Sequence, residues 1–151
     1  MSFIKNVGTG NQYIPRNSKK YVGEYPIVIR SDWERAFCRW LDMNSFVVEW
    51  KAEPVGISYF DPVRNKNRRY YVDFLISMKD KNNKIENYLI EIKPHKEIVP
   101  PKYGKKDTDK TKRWKQATYI TNQAKFKATE IYCRKMGYHW KILTEKQLFK
   151  K

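Results

Sequence analysis

Tyr70-Tyr71-Val72-Asp73-Phe74-Leu75-Ile76 and Tyr88-Leu89-Ile90-Glu91-Ile92-Lys93-Pro94 are the two stretches on which the fold turns. Both read as strands, being rich in aromatic and β-branched residues. The polar run Lys79-Asp80-Lys81-Asn82-Asn83-Lys84 between them reads as a hairpin turn, and Pro94 closes the second strand. Strand side chains alternate faces, so Tyr71, Asp73 and Leu75 are expected on one face. Leu89, Glu91 and Lys93 share a face by the same count. Pairing across the turn then brings Asp73, Glu91 and Lys93 to one spot.

Three charges inside otherwise apolar strands need a reason. A same-face Glu91–Lys93 salt bridge and an Asp73–arginine pair would be a structural one, but buried ion pairs are weak sources of stability. A site is the more economical reading. Two carboxylates and an ammonium on rigid backbone suit Mg²⁺ held against a phosphate, with Mn²⁺ as a substitute. Asp73 and Glu91 would hold the ion, with the Ile92 carbonyl as a further ligand. Lys93 would position a water and oppose the developing negative charge. His95, beside Pro94, is read as a surface residue and is left out of the chemistry.

Upstream, Ser31-Asp32-Trp33-Glu34 fits a capping box, with Ser31 as N-cap and Glu34 at the third helical position. Trp33, Phe37, Trp40 and Leu41 follow at helical spacing, and the helix should end near Asn44. Glu34 lies at the edge of that stripe. Two roles compete for it, helix cap and catalytic or metal ligand, and the local pattern favours the cap.

Phe46–Trp50 and Val55–Phe60 read as further strands, with a turn at Asp61-Pro62 and a basic connection over Val63–Arg69. The run from Lys102 to Lys115 holds seven basic residues against Asp107 and Asp109, with Tyr103 and Trp114 interleaved. It is a solvated loop or a grip on a nucleic-acid backbone. A long helix is expected from about Lys112 to Met136, stopped by Gly137, with Trp114, Ala117, Thr121, Ala124, Ala128, Ile131 and Tyr132 facing inward. Tyr138–Leu143 reads as a last strand, and Thr144-Glu145-Lys146-Gln147 caps a short helix. The class is therefore α/β (α+β), a mixed central sheet flanked by helices.

Two divisions of the chain are expected. Residues 1–26, with three glycines, two prolines and few acids, read as a basic extended N-terminal arm, ordered on a partner or simply solvated. Arg16, Lys19 and Lys20 are its candidate phosphate contacts. Residues 27–151 form the compact domain.

The formal net charge is +16 in 151 residues, which calls for a polyanionic partner, nucleic acid first. No apolar run approaches a membrane span, so no membrane partner is expected. The only cysteines, Cys38 and Cys133, give neither a disulfide framework nor a zinc cluster. No helix-turn-helix or zinc finger is evident, so DNA binding should be largely independent of base sequence.

An acid in one strand followed by Glu-x-Lys in the next resembles the PD-(D/E)xK nuclease core, here Val72-Asp73 and Glu91-Ile92-Lys93 with Glu34 from the preceding helix. The order of elements resembles the restriction-endonuclease-like fold. The wider set resembles the head-completion nucleases of T-even-like tailed phages along essentially the whole chain: Arg30-Ser31-Asp32-Trp33-Glu34, Tyr71-Val72-Asp73-Phe74, Tyr88–Pro94, the long helix and Gly137-Tyr138. More distantly it resembles the endonuclease subunit of Tn7-type transposases. The resemblance implies a Mg²⁺-dependent DNA endonuclease acting in virion assembly, after the head is filled and before the tail is attached. It implies capsid or portal and neck proteins as partners, and location in the virion or host cytoplasm. It carries over Glu34, Asp73, Glu91 and Lys93 as catalytic residues, and shifts Glu34 towards the site. The proline of the family motif is Val72 here, a backbone change that leaves the ligands intact. The competing functions are a basic connector that plugs the filled capsid without cutting, and a transposase-type nuclease subunit.

Overall fold

The computed structural model describes residues 11–149. In order the elements are β1 (Gln12–Tyr13), β2 (Ile27–Val28), α1 (Asp32–Met43), β3 (Val47–Ala52), β4 (Gly56–Asp61), β5 (Lys66–Tyr71) and β6 (Phe74–Lys79). Then come β7 (Ile85–Ile92), α2 (His95–Ile98), α3 (Asp109–Met136), β8 (His139–Leu143) and α4 (Glu145–Leu148).

The central sheet has the order β3-β6-β7-β8. β3, β6 and β7 are antiparallel neighbours, while β8 joins β7 in parallel after the α3 crossover. The expected mixed sheet with helices on its faces is therefore present. Alternation along its strands divides the interior in two. Phe74 and Ile76 of β6 and Ile90 and Ile92 of β7 enter a core with Phe37, Cys38 and Leu41 of α1, around the fully buried Trp50. Leu89 enters a second core with Val72, Cys133 of α3, and Ile57, Tyr59 and Tyr70 of the β4–β5 hairpin. Both cysteines are buried thiols.

The cap at Thr144 forms in full and the one at Ser31 in half. Ser31 Oγ accepts from the Glu34 N–H at 3.1 Å, and Thr144 closes a full capping box with Gln147. Gly137 stops α3 in the left-handed region at φ 74°, a conformation that glycine adopts without steric cost.

Several expectations need correction. The strand expected over Tyr70–Ile76 is broken at Val72-Asp73. Its first part is β5, which pairs with β4; its second is β6, in the central sheet. Asp73 thus lies at a bend, not in strand alternation. The basic connection over Val63–Arg69 is half strand, since Lys66–Tyr71 pairs residue by residue with Gly56–Asp61.

The inner face of α3 is partly the expected one, since Thr121 is buried and Ala124, Ala128 and Tyr132 pack on the second core. Trp114 and Ile131 are exposed instead, and Asn122, Phe126, Thr129 and Cys133, not expected there, are buried. On α1, Trp40 is exposed and Asp42 is buried.

Residues 11–26 are not a free arm, while residues 1–10 of that expectation lie outside the described residues. Tyr13 and Tyr21 belong to the first core. The buried Asp42 carboxylate accepts from Tyr13 Oη at 2.8 Å, Arg16 N–H at 2.7 Å and Asn17 N–H at 2.9 Å. Lys20 Nζ donates to the Asp42 carbonyl at 3.2 Å and the Asn44 carbonyl at 2.6 Å, capping the negative end of α1. Lys20, expected on a phosphate, is committed to the fold.

Candidate active site

The break at Val72-Asp73 is what assembles the site. Asp73 sits where the chain leaves the hairpin for the central sheet, and its carbonyl is fixed by the Glu53 N–H at 2.8 Å. Its Oδ2 accepts from the Ile92 N–H at 2.8 Å. Its own N–H donates to Glu91 Oε1 at 3.2 Å. Glu91 is thereby tied to the backbone of Asp73, and Asp73 to the backbone of Ile92, the residue after Glu91. Glu91 lies two residues beyond Leu89, on the same face of the strand, and so points to the α3 side of the sheet.

Lys93 follows the end of β7, and its N–H donates to the Leu143 carbonyl at 3.0 Å, which extends the β7–β8 ladder. Its Nζ is 3.8 Å from Glu91 Oε2. The expected convergence of Asp73, Glu91 and Lys93 is therefore present, although Asp73 arrives from a bend.

Glu34 approaches from α1. It is near enough for the Asp73 charge to act on it, and its Oε2 accepts from the Arg30 N–H at 3.2 Å. This is one residue before the capping-box partner, so Glu34 serves the helix start with one oxygen. No group of three or more His, Cys, Asp or Glu side chains among the described residues is close enough to share one metal ion. The tight donor pair is thus Asp73 and Glu91, with Glu34 at its margin.

Charge is held uncomfortably here. Burial pushes the Asp73 carboxyl well above its usual range, and the Glu91 charge pushes it further. Burial also raises Glu91, opposed by the Lys93 ammonium. Glu34 is pushed up to about 7, first by burial and then by Asp73, with the Arg30 backbone bond and the Arg30 and Lys93 charges opposing.

Adjacent buried carboxylates with one ammonium for counter-charge are the donor chemistry of a hard divalent cation. Mg²⁺ takes one or two carboxylates and completes its shell with water and phosphate oxygens. The residues present fit that ion.

The sequence reading missed Tyr70. Its hydroxyl is buried beside Glu91 without a hydrogen-bond partner of good geometry. As a strand tyrosine it carries no local signal of this place. The arginines of the former connection are organised by the fully buried Asp61. Its Oδ2 accepts from Arg64 Nη1 at 2.9 Å and Arg68 Nη1 at 3.2 Å, and its Oδ1 from the N–H of Val63 and Arg64. His95 donates its N–H to Glu145 and takes no part in the carboxylate pair. Lys115, in the basic run, ties Asp107 and the Lys102 carbonyl, while Tyr103 and Trp114 stay exposed.

Comparison with known proteins fits this arrangement. Residues 44–145 match the family model described as TnsA-like endonuclease N terminal, a span that includes Asp73, Glu91 and Lys93. The chain is 38% identical over 138 residues to the head completion nuclease of Enterobacteria phage T4, covering 89% of each protein. The mixed sheet with its flanking helices is the restriction-endonuclease-like fold expected from the motif. No helix among the described residues is long and apolar enough to cross a membrane.

Proposed function

Because the chain belongs to the TnsA-like endonuclease family, we propose that it is a Mg²⁺-dependent DNA endonuclease that processes packaged DNA during phage head completion. The observation that carries this reading is the backbone-tied pair Asp73 and Glu91 with Lys93 Nζ 3.8 Å from Glu91. The name of the T4 relative supports the place in head completion; on that reading the partners would be capsid or portal proteins and the setting the host cytoplasm.

Asp73 and Glu91, with the Ile92 carbonyl, would hold the ion, and Glu34 would bind at its edge or accept a proton. When bound, the divalent cation neutralises phosphate charge, activates water and stabilises the leaving oxygen. Lys93 Nζ donates to a phosphate oxygen or the attacking water, and opposes the negative charge that grows in the transition state. Backbone ties to Ile92, Asp73 and Leu143 hold all three side chains before DNA arrives, so little reorganisation is needed. The charge of +16 supplies DNA affinity that does not depend on base sequence and falls with salt.

Plasmid nicking tests the proposal. Wild type should cut with Mg²⁺, and neither EDTA-treated protein nor folded Asp73→Ala or Lys93→Ala should. DNA binding without cutting by any sample would favour the connector. Cutting that survives both substitutions would place the chemistry elsewhere.

A further inference from the structure

Lys125, on the inner half of α3, is where the rest of the molecule leaves a charge unexplained. Its ammonium stands over the rings of Tyr70 at 5.3 Å and Tyr59 at 6.0 Å from the centroids. Both tyrosines are buried in the second core, so the lysine stem lies between α3 and the β4–β5 hairpin. Among the described residues the Nζ has no hydrogen-bond or ion-pair partner. Ring faces attract a cation but replace little of its lost hydration.

The neighbours make the position harder to hold. Lys93, Arg68 and Arg64 all act on Lys125 as like charges, and Glu91 is the acid whose field opposes them. Those acids are already engaged. Asp61 is shared by Arg64 and Arg68, and Glu91 faces Lys93. A half-buried lysine among three further cations is a stable arrangement when an anion completes it. The cluster borders the Asp73–Glu91–Lys93 site, which on the reading above meets a phosphodiester.

We propose that Lys125, seated on Tyr59 and Tyr70 and flanked by Arg64 and Arg68, is a second phosphate-binding subsite that takes the backbone phosphate next to the one being cut. The inference rests on the DNA-nuclease reading and extends it. Lysine suits the role as a point charge of adjustable reach, while the two arginines, anchored by Asp61, fix the hairpin side of the groove. Lys125 is here a positioning residue that fixes the register of the strand, separate from the carboxylates.

The test uses full-length protein with Asp73→Asn in EDTA, so that DNA is bound and not cut. Duplexes carrying a single neutral methylphosphonate are scanned along the strand, with affinity measured over a salt series. One position should weaken the parent, and that loss should vanish when Lys125→Gln is added. The slope of log affinity against log salt should also fall by about one. Lys125→Arg should keep the position-specific loss, which separates charge from packing. Equal losses in parent and Lys125→Gln at every position would overturn the subsite while leaving the nuclease reading intact. A parent with no salt-dependent DNA affinity would sink both.

Discussion

The Asp73 N–H donates to Glu91 Oε1 at 3.2 Å, so the residue that supplies one acid also orients the other. The tie sits at the junction between the hairpin and the central sheet, where the chain has no strand partner of its own. Function and fold therefore share atoms at this point, and substitutions should separate them.

Asp73→Asn removes a charge that burial and Glu91 both oppose, while keeping an acceptor for the Ile92 N–H. Metal-free protein at pH 8 should melt at the same temperature or higher, since relief of about 1 kcal/mol shifts a chain of this size by 2–4 °C. Nicking should fall at least about a hundredfold. Mg²⁺ should raise the melting temperature of wild type and not of the variant. A melting temperature several degrees lower would mean that Asp73 is held for structure.

Glu34 sets a pH dependence. Its folded pKa is raised to about 7 from 4.5. Between those values the folded state binds more protons than the unfolded one, so this residue's contribution to stability declines as pH rises and levels off above about 7. In EDTA, the stability of wild type relative to Glu34→Gln should fall across that window. A difference that stays flat from pH 4.5 to 7.5 would remove the buried, charge-crowded picture of Glu34.

Asp61 shows the opposite sign. Burial raises its carboxyl, but the Arg64 and Arg68 hydrogen bonds, with backbone donors, outweigh it and hold the pKa at about 2. Its stabilisation is full above about pH 3.8 and is lost as pH falls through 2. Asp61→Ala leaves four donors without their acceptor and should cost about 3 kcal/mol in urea unfolding at pH 7. DNA affinity should fall with it. An unchanged denaturation midpoint would mean that the arginines find other partners.

Asp42→Ala should release the segment before Pro26. The carboxylate accepts from Tyr13, Arg16 and Asn17, and the variant leaves the buried Tyr13 hydroxyl without a partner and frees the two backbone donors. Limited trypsin digestion should cut at Arg16, Lys19 or Lys20 well before it cuts the folded wild type. Equal protection in the two proteins would show that Tyr13 and Tyr21 alone retain the segment.

Much of this was legible in the sequence where local rules act. Ser31, Thr144 and Gly137 mark element ends through backbone chemistry that extends over a few residues. The Asp73, Glu91 and Lys93 convergence followed from two short runs and one turn. What failed was non-local. The pattern Tyr70–Ile76 suits a strand throughout, and only pairing with two different neighbours breaks it at Asp73. Nothing local marks Asp42 or Asp61 for burial, because their donors come from elsewhere in three dimensions or from a turn not yet closed. Trp114 and Ile131 share the helical period of the covered Thr121, Ala124 and Ala128 yet are exposed, because tertiary packing decides which turns of α3 are covered.

The segment fastened by Asp42 also covers a vulnerable rim. β3 is the outer strand of the sheet, yet its Trp50 N–H donates to the Lys20 carbonyl at 3.0 Å and its carbonyl accepts from the Val22 N–H at 3.0 Å. Unpaired backbone along an outer strand is a template on which another chain can add. Residues 20–22 occupy that template from within. The protein thus stays closed to strand-by-strand self-assembly on this side, and chains clipped at Lys20 should be the first to aggregate.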